Sequence, residues 1–365
     1  MKINYVNVNK QFIDEKKHLI KILTRILSKE SHVGGDEISK FEKNISKVCK
    51  KKYTVALNSG TDALTLSLHL LGVKRGDEVI TPPNSFVAST ASIIHLGAKP
   101  VFVDVKNDQN INENLIEEKI SKKTKAIMPV HLTGRMCNME QIIKISKKYG
   151  IPVVEDSAQS ILSKYKNIPA GSWGDIGCFS AHPLKNLNAM GDGGYLTTNN
   201  RKIFEKSKSL RTHGMIDRNK VKDFGHVSRL DTIQAAVLNF RLKKLNDINK
   251  KRRRNFLQYK SLLNKDHVFF PLEKKEEFNT YHTFVVQVDK RDELKKYLNK
   301  NGISTAIHYP IPIHLQPAYK KIFKDRENYP NTEKQAKRIL TLPINQYLNN
   351  SQIAYICKKI NSFYK

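Results

Sequence analysis

With 365 residues the chain is long enough to bury a sizeable core and, on length alone, to form two domains. Its 64 Lys and Arg against 34 Asp and Glu leave a net charge of +30. The basic residues are scattered, with no arginine-rich tail and no basic strand interleaved with aromatics, which argues for a solvated surface and against a nucleic-acid partner. Cys49, Cys137, Cys178 and Cys357 show neither metal-ligand nor redox spacing, the amino terminus has no apolar core, and no apolar run is long enough to span a membrane. A soluble cytoplasmic protein with reduced thiols, no bound metal and no membrane partner is expected.

Apolar residues at near-helical spacing predict a helix over residues 12–29, broken by Gly34 and Gly35, and a second around residues 41–48. YTVAL (53–57) reads as a short buried strand. It runs into Asn58-Ser59-Gly60-Thr61-Asp62 and then an apolar helix that ends at Gly72. The free N–H groups and the dipole at that helix start favour an anion, Gly60 allows a phosphate close approach, and Ser59 and Thr61 add hydroxyl donors. Plain capping of the helix by Ser or Thr is the alternative. The turn matches neither a P-loop nor G-x-G-x-x-G, so ATP and NAD are not its natural ligands.

EVIT (78–81), PVFVDV (100–105), AIMPVH (126–131) and IPVVED (151–156) then alternate with helices after Phe86 and over residues 139–149. This is the α/β pattern of a mostly parallel sheet covered by helices, whose ligands gather at the carboxyl ends of the strands. Ser59, Phe86, His131 and Asp156 all fall just after predicted strands and are expected along one edge. Asp156, closing an apolar strand, is either a cap for the next segment or the partner of a buried cation such as a protonated pyridine nitrogen.

The stretch GCFSAHPLKNLNAMGDGG (177–194) surrounds a single lysine with turn formers. Asn186, Asn188, Gly191, Asp192, Gly193 and Gly194 exclude a helix, so Lys185 is held on a tight loop. It is either a solvated amine or a Schiff-base lysine activated by partial burial. From Arg229 onward, Ile233, Val237, Phe240, Leu245 and Ile248 recur on one face and predict a single long helix. That helix would join a large domain, residues 1–246, to a smaller α+β domain, residues 247–365.

A phosphate cradle, a strand-end carboxylate and a loop lysine, in that order, are the parts that pyridoxal 5'-phosphate (PLP) requires. Over nearly its full length the chain also resembles the DegT/DnrJ/EryC1/StrS family of PLP-dependent sugar aminotransferases. The matching stretches are SGTDAL (59–64), GDEVITPPNSFVAS (76–89), GAKPVFVDV (97–105), PVHLTG (129–134), VEDSAQS (154–160), GDIGCFSAHPLKNLNAMGDGG (174–194), LRTHG (210–214), SRLDTIQAAVL (228–238) and HYPIPIHLQPAY (308–319). The resemblance implies an aspartate-aminotransferase-type fold with a large PLP domain, a smaller carboxyl-terminal domain, and a homodimer with active sites at the interface. It implies that Lys185 is the Schiff-base lysine and general base, that Asp156 pairs with the pyridine nitrogen, that Gln159 lies beside the phenolic oxygen and that Phe86 stacks on the ring. Gly60, Thr61 and Ser180 would hold the phosphate, and Arg229, His308 and Tyr309 the substrate.

The reaction so implied is transfer of an amino group, with glutamate as donor, to a keto-sugar linked to a nucleoside diphosphate, in amino-sugar biosynthesis for lipopolysaccharide or a related surface glycan. The GDGG after Lys185 resembles relatives acting at the third sugar carbon. Two departures stand out. Val227 occupies a position where relatives carry an asparagine that reaches the partner's PLP phosphate, a role left to Ser228 or a water. Ile161 and Leu162 replace a common His-Gly, with an expected effect on the substrate side of the pocket. The alternatives are a sugar dehydratase-like enzyme, which Lys185 opposes because that branch resembles the family but carries a histidine there, and a non-catalytic regulatory protein.

Overall fold

The structure is a computed structural model that describes residues 1–28, 32–324 and 327–365. Two amphipathic helices, α1 (Val8–Leu27) and α2 (Asp36–Val48), lead into β1 (Tyr53–Leu57). There follow α3 (Gly60–Leu70), β2 (Glu78–Thr81), α4 (Val87–His95), β3 (Lys99–Phe102), β4 (Thr124–Ile127), α5 (Met139–Tyr149) and β5 (Val154–Asp156). Two short strands, β6 (Lys164–Tyr165) and β7 (Ile168–Pro169), precede β8 (Ile176–Ser180), β9 (Gly194–Thr198) and α6 (Arg201–Leu210).

The ladders join into one sheet of order β1-β9-β8-β5-β4-β2-β3, the β5 to β4 step being carried by the parallel bridges Ile127↔Val153 and Val130↔Asp156. β9 is antiparallel to both neighbours and the remaining pairs are parallel. Strand alternation sorts the side chains between two cores. Val55, Leu57, Ile176, Cys178 and Leu196 pack with α3 on one face, while Ala56, Phe179 and Tyr195 pack with α2 on the other. There Phe179 stacks on Tyr195 at 4.8 Å and Phe41 meets the same ring edge-on at 5.4 Å.

The predicted long helix is two helices, α7 (Thr232–Leu242) and α8 (Leu245–Leu262). Between them Lys243 and Lys244 form a turn, in which the Lys244 N–H bonds the Arg241 carbonyl at 3.0 Å. Leu238 and Leu245 pack in the sheet-side core, whereas Phe256 and Tyr259 pack in the carboxyl-terminal core, so the bend lets both faces be buried. Lysine is a good helix former, and nothing in the local sequence marks the break.

The carboxyl-terminal part contains β10 (Val268–Phe269), β11 (Glu277–Phe278), β12 (Phe284–Val288), α9 (Arg291–Lys300), α10 (Pro317–Ile322), α11 (Pro330–Arg338), β13 (Ile339–Leu342) and α12 (Asn350–Phe363). An antiparallel sheet of order β10-β12-β13 supplies Phe284, Val286 and Leu340 to a core shared with Leu294 and Ile356. Ile3 is a member of this core and pairs with Ile303, so the start of the chain packs with a unit that a cut at residue 247 would separate from it. β11 pairs instead with β6, pinning the carboxyl-terminal part to the large sheet's flank.

Candidate active site

A cavity of about 350 Å³, within the usual range for small-molecule sites, lies at the carboxyl ends of β1, β5 and β8. Its first wall is the start of α3. Ser59 caps that helix, its Oγ accepting from the Asp62 N–H at 3.0 Å, so the capping reading of the motif holds, and Gly60 and Thr61, whose N–H groups this cap does not use, line the cavity. Close approach at this point needs two glycines. A Cβ on Gly60 would sit 2.8 Å from Ser180 Cβ, and one on Gly194 would sit 2.2 Å from the Ser59 carbonyl. Ser180, at the end of β8, thereby lies against the helix start.

The second wall carries Asp156, which is 4% exposed. The Ser89 hydroxyl donates to Oδ2 at 2.7 Å and the Ala158 N–H to Oδ1 at 3.1 Å. Burial raises its pKa, and these two donors together with nearby Lys185 work against that rise. Gln159 lines the same wall, accepting from the Thr133 N–H at 2.8 Å and donating to the Tyr309 hydroxyl at 3.4 Å. Phe86, at the N-cap of α4, is half exposed, with its ring 5.7 Å from that of Tyr309.

Lys185 forms the floor, on a loop tied down at nearly every residue. The Lys185 N–H bonds the His182 carbonyl at 2.8 Å. Asn186 donates to Asn249 Oδ1 at 3.0 Å and to the Thr280 carbonyl at 3.2 Å. Asn188 and Gln11 exchange amide bonds of 3.1 Å in both directions. Arg241 donates to the carbonyls of Asn188 and Ala189 at 2.8 and 3.0 Å, while its Nε and Nη2 hold Glu15 Oε2 at 2.9 and 2.8 Å. Protein atoms surround the Lys185 amine, and this desolvation pushes its pKa down to about 8 against the opposing pull of Asp156.

The remaining wall comes from the carboxyl-terminal part. His308 bonds Thr341 Oγ1 through Nδ1 at 2.9 Å, and burial with the Lys185 charge lowers its pKa to about 4. Tyr309 is pushed up to about 12, by burial first and by Asp156 second. Both are therefore uncharged near neutral pH. His282, not expected from the sequence, also lines the cavity and is held neutral by burial and by the Lys185 and Arg252 charges. Arg252 joins this wall and donates to the Tyr281 and His282 carbonyls at 3.1 Å. Tyr5 arrives from the far end of the sequence and Ser89 from inside a helix. Of these four only Ser89 falls in a stretch that the sequence singles out, GDEVITPPNSFVAS (76–89).

Several expectations are corrected. His131 does not share the edge: in the segment after β4, Val130 lines the cavity and His131 does not. His131 is fully buried, accepts the Cys137 N–H at Nδ1, and therefore donates from Nε2 to Glu155 at 3.0 Å. Arg229 does not line the cavity of its own chain, and its Nε is buried without a partner among the described residues. Ser228 is fully buried and donates to Asn58 Oδ1 at 3.2 Å, a bond within its own chain. Ile161 packs into the sheet-side core with Leu162 against it, and neither lines the cavity.

The residues present fit PLP: a helix start with adjacent hydroxyls suits a phosphate, a buried carboxylate suits a ring nitrogen, and an amine of lowered pKa suits a carbonyl. Among the described residues no cluster of metal-ligating side chains occurs, and no helix is long and apolar enough to cross a membrane.

Comparison with known proteins agrees with this chemistry. The model of the DegT/DnrJ/EryC1/StrS aminotransferase family matches residues 13–361. The chain is 36% identical over 369 residues to a Geobacillus stearothermophilus protein named "Pleiotropic regulatory protein", covering 100% of this chain and 99% of that one. It is 37% identical over 349 residues to the dTDP-3-amino-3,6-dideoxy-alpha-D-galactopyranose transaminase of Aneurinibacillus thermoaerophilus, covering 95% and 96%. The crystal structure of S. venezuelae DesV superposes with a TM-score of 0.97 at 31% identity, covering 100% and 99%. The chain belongs to the DegT/DnrJ/EryC1/StrS aminotransferase family and is an aminotransferase whose cofactor is pyridoxal 5'-phosphate.

Proposed function

We propose that the protein transfers an amino group from glutamate to the third carbon of a keto-sugar carried on a nucleoside diphosphate, in the supply of amino sugars for a surface glycan such as lipopolysaccharide. The observation that carries this reading is the Lys185 amine, held near a pKa of 8 in the same cavity as the buried Asp156 carboxylate. PLP, when bound, supplies the electron sink that allows a carbon next to nitrogen to lose its proton. The chain's own groups bind, orient and move that proton. Gly60, Thr61 and Ser180 would hold the phosphate through N–H and hydroxyl donors. Asp156 would set a fixed negative charge toward the ring nitrogen, Gln159 would bond the phenolic oxygen, and Phe86 would cover the ring. Lys185 Nζ, unprotonated in a useful share of molecules near neutral pH, takes the proton from one carbon and returns it to another. His308 and Tyr309, both uncharged, offer hydrogen bonds to sugar hydroxyls.

The net charge of +30 suits long-range attraction of a dianionic nucleotide sugar. The name of the Aneurinibacillus relative, a 3-amino-sugar transaminase, and the GDGG sequence after Lys185 both support the third carbon. The test is a panel of nucleotide-linked keto-sugars with glutamate, with product mass for turnover and NMR for position. Nitrogen on the third carbon is expected, and nitrogen on the fourth overturns that assignment. The regulatory reading rests on the name of the Geobacillus relative, and a purified protein that takes up PLP yet turns over no sugar in the panel would favour it.

A homodimer with cytoplasmic residence and a division into residues 1–246 and 247–365 belong to the same proposal. Phe12, Ile13, Ile20 and Leu27 of α1 and Phe224 are large apolar side chains left exposed in the single chain, as expected of surface that a second copy covers. Val227 is also exposed. If its position faces the partner's phosphate, Val227→Asn should slow cofactor loss on dialysis by about 2- to 10-fold, the worth of one neutral hydrogen bond. An unchanged rate would mean that another group already fills the role.

A further inference from the structure

Asp156 reaches the cavity as a carboxylate in a dry place, and dry carboxylates tend to take up a proton. The charged and titratable groups that act on it are Lys185 on the loop after β8, His131 after β4, Tyr309 from the carboxyl-terminal part and Cys178 on β8. Of the charges that pull its pKa down, Lys185 acts more strongly than His131, and Tyr309 and Cys178 keep their protons. Lys185 ceases to be a fixed positive charge once its amine is committed to chemistry. The carboxylate then depends on its two hydrogen-bond donors.

One of those donors is a backbone N–H, at Ala158, which no substitution removes short of proline. The other is the Ser89 hydroxyl, 2.7 Å from Oδ2, short enough for a charge-assisted bond. Ser89 is 2% exposed. It sits in the first turn of α4, where its N–H bonds the Phe86 carbonyl at 3.3 Å and its carbonyl accepts from Ser92 Oγ at 2.8 Å. The same turn therefore carries both Phe86 on the cavity and the hydroxyl that grips Asp156.

We infer that Ser89 is a positioning residue of the site: its hydroxyl keeps the Asp156 carboxylate ionised and fixes its orientation, so that Asp156 meets a protonated ring nitrogen of the cofactor. A carboxylate oxygen accepts more than one hydrogen bond, so Ser89 and the ring nitrogen can be served together. Ser89 touches neither the reacting carbon nor the sugar and acts only through Asp156. The inference rests on the PLP reading of the cavity.

The test compares wild type with Ser89→Ala and Ser89→Thr. PLP affinity of the apo-protein is followed by absorbance titration between pH 5 and 9, together with the pH dependence of the bound cofactor's spectrum. Loss of a hydrogen bond to a charged group makes protonation of Asp156 easier by about one to two pH units. The sign is fixed: the carboxylate's pKa rises further in Ser89→Ala, so binding that fails on the acid side fails at higher pH than in wild type. PLP affinity near neutral pH should fall about 10-fold or more. Ser89→Thr, which keeps the hydroxyl, should restore both readouts. An acid limb in Ser89→Ala that coincides with wild type overturns the inference, and so does a Thr variant as impaired as the Ala variant, which would make Ser89 a packing residue. A wild-type protein that binds no PLP at any pH would instead overturn the cofactor reading itself.

Discussion

Lys185→Ala abolishes transamination while the walls of the cavity stay in place. General acid–base catalysis accounts for about 10²- to 10⁴-fold in rate, and the lysine's covalent role is lost with it, so turnover should fall below detection. Binding should survive, because Thr61, Ser180, Asp156 and Phe86 line the cavity independently of the Lys185 side chain. Reduction with borohydride in the presence of PLP should add the cofactor's mass to wild type and not to the variant. In wild-type apo-protein the attachment rate should rise with pH and level off above about 8, where the amine is unprotonated. Lys164→Ala is the control: Lys164 is exposed on β6, its Nζ 5.9 Å from the Phe278 ring centre, and remote from the cavity lining. Near-normal turnover by Lys185→Ala, or equal losses in both variants, would remove the basis of the mechanism.

Arg241→Ala should cost about 3–5 kcal/mol of stability, the usual result of breaking a buried pair from one side. Arg241 and Glu15 are 6% and 4% exposed. Without the guanidinium, Glu15 keeps a buried charge with no cation, and the Asn188 and Ala189 carbonyls lose their donor. Against a total of about 5–15 kcal/mol this is a large fraction. The measurement is the urea midpoint at unchanged slope. Because the two carbonyls belong to the loop that follows Lys185, cofactor affinity should fall with stability. Adding Glu15→Gln should recover part of the loss, since the uncompensated charge is then gone. A shift worth less than about 1 kcal/mol would show that the pair is water-screened and that the loop is held by its other bonds.

Much of the site was legible in the sequence because its signals are local. A strand that ends in Ser59-Gly60-Thr61, a strand that ends in Asp156, and a glycine-rich loop around Lys185 each occupy a few consecutive residues, and strand alternation with turn chemistry is enough to place them on one sheet edge. The period of two along a strand was also in the sequence, yet the face it assigns was not. Val130 and His131 are equally well placed to reach the edge until the bridge to Asp156 sets which of them points into the cavity.

What only the tertiary structure decided involves residues far apart in the chain. Lysines at 243 and 244 favour helix, yet the chain turns there between α7 and α8, and the apolar pattern is shared between one core up to Leu245 and another from Phe256. Ser228 reads as a free donor until Asn58, 170 positions away, accepts its hydrogen bond. Ile3 gains its place only through the bridge to Ile303. Ser89 closes a family-like stretch without a role that the sequence shows, and its hydroxyl gains one because Asp156, 67 positions later, is brought to 2.7 Å. Propensity and periodicity are properties of neighbours along the chain, whereas burial, pairing and the resulting pKa values of Lys185 and Asp156 depend on which distant groups remove water from them.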